Sequence, residues 1–406
     1  MIGVLRRRDF ALLWWGGLVS VAGDWMLMAV LPYVVYVRTG STVATAGMTI
    51  AELLPGILLG SAAGVLVDRW DRRRVLVLTH ALQALVVLAL LLAGDALLWV
   101  VYVVAAAQSA LSSFSMPAEN SLLPDLVPPE ELVSANALNA LNNRIGRLSG
   151  LPLGPVVFAV GGLDAVAVAD ALTFVVAAVL VARVRVPPKE EVASEPGAAA
   201  GFVAEWRRGL VLVRRDPSIR ALFAIFGLMT FGGTMLDPLA APWVHDVLGG
   251  GNDVYALLMT VHAVAGIAGS LVVGACGSRL PPRLLCGVGS VLAGCLLLVR
   301  FNVPVLGVAV VLSLVSGVTA VASSVGVDTL TQQRVPESYR GRVFGTLQAM
   351  IWLCSLLGAA VGGLVGQHVG VVPALDLASS LVVLAGVVVL VALPSAAAAR
   401  TREPVR

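Results

Sequence analysis

Twelve stretches of about twenty apolar residues, parted by short polar turns, constrain this chain more than any other feature. They run over 10–37, 42–67, 75–93, 97–116, 137–161 and 165–184, then over 219–244, 255–275, 284–299, 305–327, 343–367 and 372–393. Each is long enough to cross hydrocarbon as a helix, and none has the period-two alternation of a barrel strand. With 58% hydrophobic and 13% charged residues, against about 25% charge in soluble domains, the sequence reads as an all-α membrane protein that crosses many times. The first run is too long for a signal peptide and is expected to stay as a helix.

Arginine tests the count. With the amino terminus inside, 25 of the 27 basic residues fall on one side of the bilayer, and only Arg38 and Arg300 fall on the other. Cytoplasmic loops carry such an excess, so both termini are expected in the cytoplasm after an even number of crossings. The sharpest case is the turn Gly64-Val-Leu-Val-Asp68-Arg69-Trp70-Asp71-Arg72-Arg73-Arg74. Each of its four arginines would cost roughly 3 kcal/mol inside hydrocarbon, which holds the turn in water.

The longest polar gap divides the spans six and six. The expected organisation is a six-helix bundle over 1–184, a cytoplasmic linker over 185–217, a second bundle over 218–394 and a cytoplasmic tail over 395–406. Within the linker, Phe202, Trp206, Leu210 and Val213 share one helical face, which suits an amphipathic connector at the membrane surface. The halves read as a duplicated unit at an offset of about 210 residues. Ala22-Gly23 matches Gly232-Gly233, Leu31-Pro32-Tyr33 matches Ala241-Pro242-Trp243, and Val127-Pro128 matches Val335-Pro336. Gly150 and Gly154 match Gly358 and Gly362, and both pairs permit close helix contact. Gly64 and Arg69 recur as Gly274 and Arg279, without the Asp and most of the arginines. Cys276, Cys286, Cys295 and Cys354 show no metal spacing and are expected to be free thiols.

The charged turn resembles the signature loop of the major facilitator superfamily. Further resembling elements are Gly23-Asp24-Trp25, Pro117-Ala118-Glu119, the run from Leu123 through Pro124-Asp125 to Pro128, and Ala135-Asn136-Ala137-Leu138. In the second half, Val335-Pro336-Glu337 and Arg340-Gly341-Arg342-Val343-Phe344-Gly345 join them. Over nearly all twelve spans the chain is similar to the bacterial drug-efflux branch that contains macrolide and enterobactin exporters. The resemblance implies the major facilitator fold, two pseudo-symmetric six-helix bundles, in the bacterial inner membrane. It also implies export of a hydrophobic small molecule by proton antiport through alternating access, by a monomer. The alternatives are a siderophore or lysolipid-type exporter of the same fold, and a non-transporting sensor. One departure is plain: proton-driven exporters often carry Gly-Pro-x-x-Gly-Gly in the fifth helix, and Val156, Val157, Phe158 and Ala159 follow Pro155 here. A basic residue common within the fourth helix of those exporters is also missing. The antiport direction is therefore implied by the closer branch, not by that motif.

Ionisable groups inside spans are expensive and face a cavity or a partner. Asp24 in the first span and Asp237 in the seventh lie on helices that line the cavity in this fold. They read either as proton carriers or as packing acids bonded to a neighbour. Glu52 in the second span and His262 in the eighth take near-equivalent repeat positions, and the same two readings apply. Asp68, Arg69, Arg72, Arg73, Glu119, Arg144, Asp328 and Arg342 lie near inner helix ends and are expected to form a salt-bridge gate, with Arg147 close by. Asp170 and Asp376, near outer ends, read as structural. Trp25, Met28, Phe114, Met116, Phe231, Met235 and Trp243 read as an apolar cavity wall, or as ordinary packing. No nucleophile–base set, metal cluster, cofactor motif or Gly-Lys-Ser nucleotide loop appears, so the expected partners are substrate, protons and the lipid bilayer, with no enzyme activity and no nucleic acid.

Overall fold

In the computed structural model of the protein, residues 2–92, 97–186, 217–335 and 340–393 are described, and they contain no strand. Most of the linker expected over 185–217, and all of the tail expected over 395–406, lie outside the described residues. In the first half the helices are α1 (Arg8–Thr39), α2 (Thr42–Asp68), α3 (Arg72–Leu88) and α4 (Leu98–Leu126). A continuous helical stretch, Leu132–Ala182, follows. In the second half, α7 (Pro217–Leu236), α8 (Asn252–Cys276), α9 (Pro282–Asn302), α10 (Leu306–Arg334), α11 (Arg340–His368) and α12 (Val371–Ala392) complete the chain.

Eleven of these stretches are long and apolar enough to cross a membrane. The one over Pro129–Ala182 has 54 residues, about 80 Å of helix against a hydrocarbon core of about 30 Å. It must cross twice. The backbone turns at Gly161 and Gly162, and Gly162 has φ of 66°, a value that a side chain disfavours. The stretch is therefore α5 (132–160) and α6 (163–182), and the expected count of twelve holds.

Two expectations about boundaries change. Helices α4 and α10 continue to Leu126 and Arg334, well past the apolar runs that end at 116 and 327, because Leu122, Leu123, Leu330 and Thr331 in the added turns are buried against neighbouring helices. The seventh span is not one straight helix over 219–244. It stops at Leu236, passes through a 3-10 turn (Asp237–Leu239) and ends in a π turn (Trp243–Val247). Pro238 and Pro242 each lack the N–H that would continue the helical ladder.

By packing, the chain divides into two compact units. Unit 1 is Met1–Glu191 with Val244–Ala263, and unit 2 is Val192–Trp243 with Val264–Arg406. In unit 1, α1 runs along α5 almost without intervening side chains. A Cβ on Gly150 would overlap the carbonyl of Ala22, and one on Gly154 the carbonyl of Met26. Asn142, two turns before Gly150, donates to the Trp14 carbonyl. Apolar packing of α1, α2, α4 and α6 closes the rest, around Val30, Leu31, Val35, Met48, Val101 and Val166. The segment Val244–Ala263 is tied to α1 and α5. Asn252 donates to Pro155 O at 3.0 Å, Tyr255 donates to Ala29 O at 3.2 Å, and the Tyr33 and Tyr255 rings stack at 4.9 Å.

In unit 2 the same helix contact recurs. Gly358 lies on Phe231 O and Gly362 on Met235 O, the unit 1 contact shifted by 208 residues on one helix and 209 on the other. A second repeat joins a guanidinium to a helix end. Arg73 donates to the Ala182 carbonyl at the end of α6, and Arg283 to the Leu390 carbonyl near the end of α12. Positive charge at a helix carboxyl end satisfies orphaned carbonyls.

At the amino terminus, Arg7 donates to both carboxylate oxygens of Glu131 in the α4–α5 turn, at 2.7 and 3.2 Å. That bond holds the Glu131 carboxyl below its ordinary value of 4.5. Its contribution is complete above the unfolded value and fades as pH falls through the lowered one. A spin label at position 5 should gain mobility in acid below about pH 4, and Glu131→Gln should show that mobility already at pH 7. A second test concerns the helix contact. Gly154→Ala should cost about 2 kcal/mol in thermal unfolding in detergent, whereas Gly60→Ala, with open space around the new Cβ, should stay within about 0.5 kcal/mol.

Candidate functional site

Helix α1 carries the polar centre of unit 1, because its glycines let neighbouring helices bring polar side chains against its backbone. Gly17 receives Glu119 of α4, whose Oε1 would stand 3.1 Å from a Cβ there. Gly23 receives Asp170 and Thr173 of α6, where a Cβ would have no room. Asp170 is fully buried; the Thr173 hydroxyl lies 3.2 Å from its Oδ1, and its Oδ2 has no hydrogen-bond partner. Asp24, the next residue of α1, is half-buried. Beside it Trp25, also half-buried, takes the Arg147 guanidinium of α5 over its ring at 4.5 Å and packs against Gly150. One layer of α1 thus gathers an acid, an indole and a guanidinium, with a second, buried acid behind Gly23.

From the sequence, Arg147 reads as part of a gate and Asp170 as a structural acid. Their closeness to Gly23 and Trp25 is not readable there, since it depends on the rotation of α5 and α6 about their axes. The spacing of Asn142, Gly146, Gly150 and Gly154, one turn apart, holds the signal for α5.

The remaining expected residues are dispersed. Glu52 is half-buried on α2 and His262 exposed on α8, both in unit 1. Asp237 is exposed and opens the 3-10 turn that ends α7. Met28 and Phe231 are half-buried, and Met116 is exposed. Met235 and Trp243 are fully buried: Trp243 donates to Phe301 O at 3.3 Å, meets the Phe301 ring edge-on and lies under Arg300. These two side chains are used in packing unit 2. Phe114 packs with Leu76, Ala118 and Leu122, and faces a groove beside α3.

The charged turn divides its arginines by task. Arg72 donates to Ser121 O and to Asp125 Oδ2, both at 2.9 Å, and Arg73 caps α6. Arg69 and Arg74 are exposed, and Arg74 pairs with Asp71 at 3.5 Å. Among the described residues, Glu119 and Arg144 make no ion pair, and Asp328 is exposed on α10. The side chains of Asp68 and Arg342 lie outside the described residues. Between α3 and α4 runs a partly buried polar ladder that the sequence does not announce. Gln83 donates to Ser112 Oγ at 3.1 Å, Gln108 to Gln83 O at 3.2 Å, and Ser115 to Thr79 Oγ1 at 3.0 Å.

This architecture is that of the major facilitator transporters. A bacterial homologue of the iron transporter ferroportin superposes with a TM-score of 0.72 at 21% identity, over 95% of this chain and 98% of that one, a likeness of fold. The family model described as transmembrane secretion effector matches residues 2–404, and the chain belongs to that family within the major facilitator superfamily. Among relatives, the chain is 27% identical over 395 residues to the MFS-type transporter YfiS of Bacillus subtilis, covering 92% of this chain and 90% of YfiS. It is 25% identical over 374 residues to macrolide efflux protein A of Streptococcus pyogenes, covering 90% and 91%. The protein is a membrane transporter.

If Arg72 braces α3 to α4, a double-mutant cycle should say so. Arg72→Ala and Asp125→Ala should each cost about 1–3 kcal/mol in thermal unfolding, and the pair together little more than one alone. Additive losses would mean that the two side chains do not act as a unit.

Proposed function

We propose that this transporter exports a hydrophobic organic molecule in exchange for protons, by alternating access. The observation that carries the reading is Asp24, a half-buried acid midway along a 32-residue membrane helix, next in the chain to Trp25, whose ring carries the Arg147 guanidinium. A carboxyl in that setting can hold a proton when access is from one side and release it when access is from the other. Substrate arriving at the Trp25 and Arg147 layer changes the charge that Asp24 meets, which links the two fluxes. Asp170 of α6, lying against Gly23, is a second acid beside α1, and Asp237, Glu52 and His262 remain secondary candidates for proton transfer.

The apolar side chains still open to a substrate are Trp25, Met28 and Phe231, each half-buried. Glu119, Arg144, Asp328 and Arg342 supply charges that exchange partners as access alternates, while Arg72 and Arg73 serve unit 1 itself. Similarity to macrolide efflux protein A supports export of a sizeable organic compound. The bacterial inner membrane, with both termini in the cytoplasm, is the setting that the arginine distribution supports.

Purified protein in liposomes tests the reading. An imposed pH gradient should drive efflux of a macrolide or a lipophilic dye. Asp24→Asn should lose the gradient-driven part, by about tenfold or more, while substrate binding persists. Full gradient-driven efflux by Asp24→Asn would remove Asp24 from the coupling.

A further inference from the structure

The two exposed arginines of the charged turn, Arg69 and Arg74, share a location. Arg69, Trp70, Asp71 and Arg74 form the polar mouth of a groove of about 660 Å³ between α3 and α4. Beyond the mouth its walls are Val75, Leu78, Leu82, Leu111 and Phe114, with the Thr79 hydroxyl already engaged. Leu78 is 62% and Leu82 43% exposed, and both lie on the face of α3 turned away from the unit. From Arg74 to Leu82 the groove follows α3 for about 12 Å, most of the roughly 15 Å depth of one leaflet's hydrocarbon. Water therefore ends and hydrocarbon begins along its length, with Trp70 at the boundary that indole rings favour.

We propose that this groove binds one anionic glycerophospholipid, with the phosphate between Arg69 and Arg74 and an acyl chain along Leu78, Leu82, Leu111 and Phe114. Guanidinium groups match a phosphate's oxygens with paired donors. Asp71 does not cancel both arginines. Its carboxylate caps α3 by accepting from the Arg74 N–H at 2.9 Å and pairs with the Arg74 side chain. Among the described lining residues one net positive charge remains at the mouth, which selects a headgroup with net negative charge over a zwitterionic one. A free phosphate would leave the apolar wall bare, so the occupant is an amphiphile. The site is separate from the Asp24 layer and stands whether or not that layer moves protons.

The test is native mass spectrometry of the full chain, delipidated in mild detergent and titrated with phosphatidylglycerol or phosphatidylcholine. One phosphatidylglycerol should be retained with roughly tenfold preference over phosphatidylcholine. The Arg69→Gln/Arg74→Gln double variant should lower phosphatidylglycerol to the phosphatidylcholine level. Leu78→Trp, with every charge kept, should weaken both lipids by filling the groove, which guards against a double variant that fails to fold. Equal retention of the two lipids by the native chain would overturn the proposal. So would an undiminished preference in the folded double variant, or displacement of the lipid by millimolar inorganic phosphate alone.

Discussion

The closeness of α1 to α5, and of α7 to α11, is the constraint on which the rest depends. In hydrocarbon there is no apolar driving force between helices, so van der Waals contact and polar bonds hold them together. Gly150 and Gly154 remove the side chains that would hold α5 away, and the carbonyls of Ala22 and Met26 take their place. Gly358 and Gly362 do the same for Phe231 and Met235. Once α1 is gripped along that face, Gly17 and Gly23 present bare backbone to α4 and α6. Asp170 then enters an interior that would otherwise reject it, and Glu119 rests against the bare backbone of α1. The polar layer around Asp24 is thus a product of packing, not an addition to it.

The arginine turn shows how one composition serves several ends. The cost of charge in hydrocarbon fixes where the turn lies, but not what each guanidinium does. Arg72 reaches sideways to Asp125, Arg73 reaches back to the end of α6, and Arg69 and Arg74 stay at the groove mouth. Their neighbours along the chain decide this: a helix start at Arg72 turns successive side chains by about 100° each.

The fold was largely legible in the sequence, because the hydrocarbon penalty writes span number into every apolar run and every arginine. The double crossing within Leu132–Ala182 was legible too, since Gly161-Gly162 sits between two runs of sufficient length. The break after Leu236 was written in Pro238 and Pro242 but hidden by the apolar residues around them. The candidate site was less legible. A membrane helix is apolar on all faces, so the pattern does not separate an exposed Met116 from a buried Met235 or a groove-lining Phe114. Asp24 could be named from its cost alone. Its neighbours Arg147 and Asp170 could not, because helix rotation is set by where the glycines meet.

The paired guanidinium plugs on α6 and α12 separate what the two units share from what only one of them has. The second copy of the arginine turn has shed its aspartate and most of its positive charge, yet Arg283 still seals a carbonyl end as Arg73 does. The capping contact is thus the part of the turn that both units hold, and the rest of the charge belongs to the first alone. A helix carboxyl end must find a donor in either unit, whatever else the loop that supplies it does.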